Sequence, residues 1–171
     1  MIFSTDETIV MGILNLTEDS FYDGGKYKNK SQIIGHCKKM LDDGAKIIDI
    51  GAQTSKPGSN ILPSKSEIKK LLPVIELLKT EFPNIIISID TFWSETAEKC
   101  IQQGADIIND ISAGNIDNKM FDTISKLQIP YIIMHMKGIP KTMQKKPMYI
   151  NVVDEIIDSF RKKINKLHQK D

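Results

Sequence analysis

Polar side chains follow short apolar runs at several points along this sequence. The run TIVMGIL leads directly into NLTEDSFYDGG, residues 15–25, which contains an amide, two hydroxyls, three acids and an aromatic pair. An ordinary turn needs a Gly or an Asn and little else. Side chains of this kind can bind polar groups, so we interpret the stretch first as a candidate site.

Four further apolar runs end in the same way. Asp49-x-Gly51, Asp90-Thr91, Asn109-Asp110 and Met134-His135-Met136 stand where KIIDIG, NIIISID, ADIIND and PYIIMHM end. The carboxyl ends of parallel strands are where α/β proteins build active sites. The sequence has no G-x-G-x-x-G after the first run and no P-loop motif, which argues against a dinucleotide or ATP site of those kinds.

Segments with helical periodicity separate the five runs. They are SQIIGHCKKMLDDG, SKSEIKKLLPVIELLKTEF, SETAEKCIQQG, DNKMFDTISKL and NVVDEIIDSFRKKINKLHQ. The second is predicted to begin with a Ser64–Glu67 capping box, and the third with a Ser94 cap. Five β/α units with near-continuous apolar strands are typical of a parallel sheet covered by helices. Periodicity alone is compatible both with an open doubly wound sheet and with part of a (β/α)8 barrel.

Composition describes an ordinary globular chain. It has 171 residues, 26% of them charged and 40% apolar, and a formal net charge of +1. One domain over residues 1–171 is the expectation, and the charge balance gives no reason to expect a nucleic-acid or membrane surface. Cys37 and Cys100 have no metal-site spacing and are predicted to be buried. With neither a signal peptide nor an apolar run of roughly 20 residues, we expect a cytoplasmic protein.

Four ordered stretches resemble a known family. MGILNLTEDSFYDGGKY, IIDIGAQTSKPGS, SIDTFWSETAEKCIQQGADIINDISAG and YIIMHMKGIPKTMQ are similar to the first four signature motifs of dihydropteroate synthase, from about residue 8 to residue 144. The resemblance implies a (β/α)8 barrel. It also implies transfer of p-aminobenzoate to a dihydropterin methyl diphosphate in folate biosynthesis, with release of pyrophosphate assisted by Mg²⁺. It is compatible with a homodimer.

The resemblance assigns roles to individual residues of the first loop and of strands three to five. Asp90 and Asn109 match the pair that binds the pterin ring, and Met134 would pack on its face. Asn15 matches the residue whose side-chain oxygen contacts Mg²⁺, and Asp23 a carboxylate that helps to order metal and pyrophosphate. Phe21 would form a wall of the aminobenzoate pocket.

In the second loop the sequence departs mildly from the family. Ser55 stands where a diphosphate-binding Thr is usual, and Lys56 where Arg is usual, followed by Pro57 and Gly58 in the turn. Lys keeps the charge but lacks the planar fork that suits phosphate. Gln53 replaces the common Glu. These changes affect details of the loop more than the substrate class.

Five β/α units are fewer than the eight of a closed barrel. The family's Asp of the sixth strand, Lys of the seventh, and Arg and His of the eighth have no counterpart in this sequence. The sequence therefore predicts a domain truncated at its C-terminus. Three explanations stay open: an incomplete record of a longer enzyme, a chain completed by a partner chain, and a non-catalytic product.

Three other functions stay open. One is a pterin-dependent methyltransferase on a similar barrel, which would have no diphosphate to cover with a loop such as NLTEDSFYDGG. Another is a non-catalytic pterin-binding or assembly module, which would bind the ligand without turnover. The last is a structural α/β domain, which a pterin would not stabilise.

Overall fold

Strands and helices alternate along the chain. The computed structural model describes residues 7–16, 27–53, 61–138, 143 and 146–170, with side chains in the first helix from residue 30. The elements in order are β1 (Met11–Asn15), α1 (Tyr27–Asp42), β2 (Ile47–Gly51), α2 (Ser64–Glu81), β3 (Ile86–Asp90), α3 (Ser94–Gln102), β4 (Ile107–Asp110), α4 (Met120–Leu127), β5 (Tyr131–Ile133) and α5 (Val152–His168). The predicted alternation of five strands with five helices is confirmed.

The sheet is parallel throughout, and each strand pairs with the next one along the chain, in the order β1-β2-β3-β4-β5. A doubly wound sheet reverses its strand order at a switch point, whereas a (β/α)8 barrel adds its strands in sequence. Of the two architectures that periodicity left open, the observed strand order therefore favours the barrel type, here as five consecutive β/α units.

One face of the sheet packs against the helices. A row of apolar residues in register across the strands, formed by Leu14, Ile50, Ile89 and Ile108, is completely buried. Side chains from α1 to α4 cover it, and both cysteines, Cys37 and Cys100, lie in this core as predicted. Burial of this apolar surface is the main force that holds the helices on the sheet.

The other face corresponds to the interior of a barrel, and it is more polar. Successive residues of a strand point to opposite faces, so the neighbours of the apolar row form a second row: Asn15, Gly51, Asp90, Asn109 and Ile132. This second row lies at the carboxyl ends of the strands. It brings together residues that are up to about 120 positions apart in the sequence.

The predicted caps of α2 and α3 are wrong in detail. Ser64 is the first residue of α2, its hydroxyl donates to Glu95 Oε2 (2.7 Å), and the N-cap position holds Pro63. Glu67 is completely buried and turns away from a capping box because Thr91 and Gln53 hold its carboxylate. These tertiary hydrogen bonds replace the local one that the Ser-x-x-Glu spacing predicted.

The start of α3 is capped from a distance. Asp117, in the β4–α4 connection, accepts hydrogen bonds from the Ser94 backbone N–H (2.8 Å) and from the Ser94 hydroxyl (2.7 Å). Ser94 is thus the first residue of the helix, and the capping oxygen belongs to another segment. A carboxylate at a helix N-terminus is favourable because the free N–H groups carry partial positive charge.

Helix α5 differs from the other helices because none of its residues is buried. Asn151 caps it by accepting hydrogen bonds from Val153 N and Asp154 N. The apolar residues of this segment recur at helical spacing in the sequence, yet Val153 and Ile164 remain 59% and 44% exposed. No helix in the described part of the chain is both long and apolar enough to cross a membrane.

Candidate active site at the carboxyl edge of the sheet

Polar groups are paired to different degrees at the amino ends of the strands (the amino edge of the sheet) and at their carboxyl ends (the carboxyl edge). At the amino edge, Asp106 accepts hydrogen bonds from Ile87 N and from Lys79 Nζ (both 2.8 Å), and Lys79 also donates to Ile85 O. These groups satisfy one another. At the carboxyl edge, the row of Asn15, Asp90 and Asn109 retains side-chain oxygen atoms that form no such pairs with other described residues. This asymmetry is typical of a barrel whose amino edge serves stability and whose carboxyl edge serves binding.

Gly51 separates two polar side chains of the row. A Cβ atom built on Gly51 would lie 3.3 Å from Asn15 Oδ1 and 3.3 Å from Asp90 Oδ2. Both oxygens therefore flank the space above the Gly51 Cα, one from β1 and one from β3. Because glycine has no side chain, a ligand could contact both oxygens across this gap.

Asn109 is held in one orientation by a deeper carboxylate. Its Nδ2 donates to Asp49 Oδ2 at 3.1 Å. A carboxylate can only accept, so this contact identifies the amide nitrogen and leaves the Asn109 carbonyl oxygen as an acceptor for a ligand. Asp49 was singled out in the sequence only as part of a polar strand end. The sequence feature that could have identified Asp49 as a site residue is the presence of an acid inside the otherwise apolar strand KIIDIG.

Beneath the row lie two buried oxygen atoms that lack partners. Among the described residues, neither Asp49 Oδ1 nor Ser88 Oγ forms a hydrogen bond, although both atoms are inaccessible to solvent. Asp49 and Ser88 are register neighbours on β2 and β3 and share the interior face. Buried polar atoms are seldom left unsatisfied in folded proteins. This part of the interior is therefore suited to a water molecule or to donor groups of a ligand.

Asp90 is held in an environment that disfavours its charge. Burial, followed by the negative charges of Asp49, Glu67 and Asp110, raises the pKa of Asp90 to about 7. Near neutral pH its carboxyl group therefore exists in both protonation states. Titratable groups with such perturbed pKa values cluster at functional sites.

Two apolar side chains, on β5 and directly after it, lie beside the polar row. Ile132 is in register with Asn109. Met134 follows one residue after the end of the strand, and the two side chains are 38% and 36% exposed. An apolar surface beside a set of hydrogen-bond acceptors suits a flat polar ring, whose edge is hydrogen-bonded and whose face is in contact with carbon and sulfur.

The connection from β4 to α4 is organised by Asp110, which is completely buried on the helix-facing side of the sheet. Its carboxylate accepts hydrogen bonds from Ser112 N (2.7 Å), Gly114 N (2.8 Å) and Tyr131 Oη (2.7 Å). Gly114 has φ +74°, and a Cβ there would lie 2.6 Å from the Phe121 ring. Asp110 thereby fixes the backbone immediately after Asn109.

Several residues that the sequence predicts for the site lie outside the described residues. These are Phe21 and Asp23 in the first loop and Ser55, Lys56 and Pro57 in the second. Of the remaining ones, Asn15, Asp90 and Asn109 share one row at the carboxyl edge, and Met134 follows the adjacent β5.

A divalent cation would find few protein ligands in the part of this site that the structure describes. No group of three or more His, Cys, Asp or Glu side chains among the described residues could hold a metal ion. The Asn15 side chain is exposed, with its oxygen directed toward the gap above Gly51. An amide oxygen fits Mg²⁺, which keeps several waters and commonly binds through one or two protein oxygens together with substrate phosphates.

The fold is that of consecutive β/α units of a barrel, with a candidate binding site at the carboxyl ends of the strands. A family model described as "Pterin binding enzyme" matches residues 11–171, nearly the whole chain. The chain belongs to the pterin-binding enzyme family.

Similar proteins bear names from folate synthesis. A mitochondrial folate synthesis bifunctional protein of Pisum sativum is 44% identical over 153 residues, which are 87% of this chain and 30% of that protein. The dihydropteroate synthase of Clostridium difficile, solved in the presence of pteroic acid, is 34% identical with a TM-score of 0.87; the match covers 99% of this chain and 62% of that one.

A second solved structure carries the other predicted substrate. The dihydropteroate synthase of Xanthomonas albilineans with 4-aminobenzoic acid is 31% identical, with a TM-score of 0.81; the match covers 96% of this chain and 57% of that one. The chain thus spans less than two thirds of the length of each of these relatives. The predicted family and the barrel-type fold are confirmed.

Proposed function

We propose that this chain supplies the pterin-binding part of a dihydropteroate synthase. The reaction condenses p-aminobenzoate with (7,8-dihydropterin-6-yl)methyl diphosphate and gives 7,8-dihydropteroate and pyrophosphate. A cytoplasmic location is part of this proposal. The observation that carries it is the adjacent pair Asp90 and Asn109 at the carboxyl edge, with Asn109 oriented by Asp49.

The chemistry of the pair suits the pterin ring. The amino-pyrimidine edge of a pterin presents adjacent N–H donors, and the Asp90 carboxylate with the Asn109 carbonyl oxygen presents adjacent acceptors. Met134 would contact the face of the ring. These groups bind and orient the substrate, so that its methylene carbon faces the second substrate.

The diphosphate end would extend toward Asn15, across the gap above Gly51. Asn15 is the residue proposed to hold Mg²⁺, which when bound would neutralise negative charge on the departing pyrophosphate. In this proposal Asp23 and Lys56 are catalytic: Asp23 helps to order metal and pyrophosphate, and Lys56 supplies positive charge. The Ser55 hydroxyl donates to the diphosphate, and Pro57 contributes to the substrate-binding turn. Phe21 would line the aminobenzoate pocket.

Binding and turnover test this proposal separately. Calorimetric titration with the pterin diphosphate should show binding, and Asp90→Ala should weaken it by about 100-fold or more, because charged hydrogen bonds to a buried ring are lost. Asp158→Ala, at an exposed acid of α5, is the matched control and should leave affinity unchanged. Retained affinity in Asp90→Ala would contradict the assignment.

Release of pyrophosphate in the presence of p-aminobenzoate then separates the enzyme from its alternatives. Turnover by the chain together with the segments or the partner chain that complete the barrel supports the synthase, whereas binding without turnover in that completed barrel supports a non-catalytic pterin-binding module. A methyltransferase would release no pyrophosphate.

A further inference from the structure

Asp49 is a buried acid whose carboxylate has little to compensate it. It lies on β2 between Ile48 and Ile50 and is 5% exposed. Among the described residues its carboxylate accepts one hydrogen bond, from Asn109 Nδ2, and its second oxygen has no partner. Burying a carboxylate costs free energy unless donors compensate for it. The position of Asp49 is therefore better explained by its effect on Asn109 than by stability.

The contact between Asp49 and Asn109 crosses an intervening strand. The two residues belong to β2 and β4, and Ser88 of β3 is the register neighbour of Asp49. Strands two apart in a sheet are separated by roughly 10 Å, so a carboxylate spans that distance only over a small side chain. Ser88 supplies the small side chain, and its hydroxyl forms no hydrogen bond with any described residue. The contact is thus specific to this pair.

This contact determines which end of the Asn109 amide is offered to a ligand. A carboxylate can only accept, so the Asn109 nitrogen is directed toward Asp49 and the Asn109 oxygen is left for the ligand. The neighbouring Asp90 is in register with Asn109 and carries further oxygens. A ligand at this position therefore meets the acceptor of Asn109 and not its donor.

An isosteric change at Asp49 removes the constraint. Asparagine at this position would keep the shape of the side chain, and it could either accept from Asn109 Nδ2 or donate to Asn109 Oδ1. Both orientations of the Asn109 amide would then be favourable. In the turned orientation the Asn109 nitrogen faces the ligand as a donor.

We propose that Asp49 is a positioning residue that, by fixing the Asn109 amide, makes the site select rings with an amino group at the contacting edge over rings with a carbonyl oxygen there. This rests on the proposed function, in which that ring is a pterin. A pterin carries an amino group at ring position 2, whereas a lumazine carries a carbonyl oxygen. The amino group donates to the Asn109 oxygen, but the carbonyl would oppose oxygen to oxygen.

The test compares 6-hydroxymethylpterin with 6-hydroxymethyllumazine by calorimetric titration, on the chain together with the segments or the partner chain that complete the barrel. The unaltered protein should prefer the pterin by about 100-fold or more, because a buried acceptor facing a second oxygen is costly. Asp49→Asn should lower this preference by about tenfold or more and should bind the lumazine more tightly than the unaltered protein does.

A gain of lumazine affinity distinguishes positioning from a merely structural role, which would weaken the binding of both rings alike. Asp158→Asn, at an exposed acid of α5, removes a charge elsewhere and should leave the preference unchanged. The proposal is overturned if Asp49→Asn keeps the preference of the unaltered protein. It is also overturned if the unaltered protein binds the two rings equally well, an outcome that leaves pterin binding itself in place.

Asn109→Ala removes the side chain through which Asp49 is proposed to act. In that background Asp49→Asn should change the preference by less than about twofold, because the two residues form one unit and their effects do not add. If Asp49→Asn has the same effect with and without the Asn109 amide, Asp49 acts on the ring directly and the positioning role is wrong.

The side-chain amide of Asn109, observed by NMR, reports its orientation without any ligand. In the unaltered protein it should give one set of signals, with the amide protons close to the Asp49 Hβ protons. In Asp49→Asn it should sample both orientations, and its hydrogen exchange should quicken about threefold or more. Identical spectra and exchange would overturn the proposal. If the amide behaves as expected but the unaltered protein binds neither ring, the proposed function fails, and the selectivity with it.

Discussion

Asp90→Asn should make the protein more stable at pH 8 while weakening its affinity for the pterin. Burial and the neighbouring acids raise the pKa of Asp90 to about 7. In the unfolded chain this pKa returns to its ordinary value near 3.8. Between these two values the folded state holds a proton that the unfolded state lacks, so stability falls as the pH rises through this window.

Above pH 7 the full cost of the buried charge is present, and asparagine removes it. We expect Asp90→Asn to gain about 2 kcal/mol in the free energy of unfolding at pH 8, and nothing at pH 4. Urea denaturation at pH 8 and at pH 4 measures the difference in the free energy of unfolding between the variant and the unaltered protein. Asp158→Asn, at an exposed acid, should change neither. A destabilised Asp90→Asn at pH 8 would show that the carboxylate is satisfied within the fold.

The same variant should lose affinity for the pterin because an amide offers one acceptor where the carboxylate offers two. Its nitrogen would also face the donor groups of the ring. We expect a loss of about 30-fold or more in a calorimetric titration. A stabilising change that impairs binding is what a site selected for function, at a cost in stability, should show.

Asp110→Ala should be the most destabilising single change in the described region of the sheet. It removes an acceptor of three hydrogen bonds and leaves Ser112 N, Gly114 N and the Tyr131 hydroxyl without their partner. Asp110 is completely buried, so water cannot replace the lost bonds. We expect the free energy of unfolding to fall by about 4 kcal/mol, measured by urea denaturation.

Asp117→Ala is the matched comparison for this prediction. Asp117 also accepts several hydrogen bonds, from Ser94 N, Ser94 Oγ and Lys119 N. It is only partly buried, so water can satisfy part of what is lost. We expect the free energy of unfolding to fall by about 1–2 kcal/mol, the usual cost of losing a helix cap. Equal losses in the two variants would mean that the burial of Asp110 adds nothing.

The architecture could be predicted because it depends on local patterns. Runs such as KIIDIG and NIIISID are apolar on both faces, and the segments between them carry helical periodicity. The carboxyl edge could also be predicted, since Asn15, Asp90 and Asn109 each stand at the end of such a run. Parallel pairing then brings them into one row.

The parts that were missed depend on contacts between distant segments. The spacing of Ser64 and Glu67 fits a capping box, but Glu67 bonds to Gln53 and Thr91, which the chain brings near only after folding. Ser94 resembles a cap, yet the capping oxygen comes from Asp117, 23 residues away. Local spacing carries no information about these partners.

The protonation of Asp90 in the presence of ligand tests the central claim most directly. The carboxyl carbon of Asp90, observed by NMR, can be titrated with and without 6-hydroxymethyl dihydropterin. Without ligand the pKa should lie near 7. If the ring donates hydrogen bonds to this carboxylate, the pKa should fall by about one unit or more on binding, because donors favour the charged form. An unchanged pKa in the bound state would contradict the account.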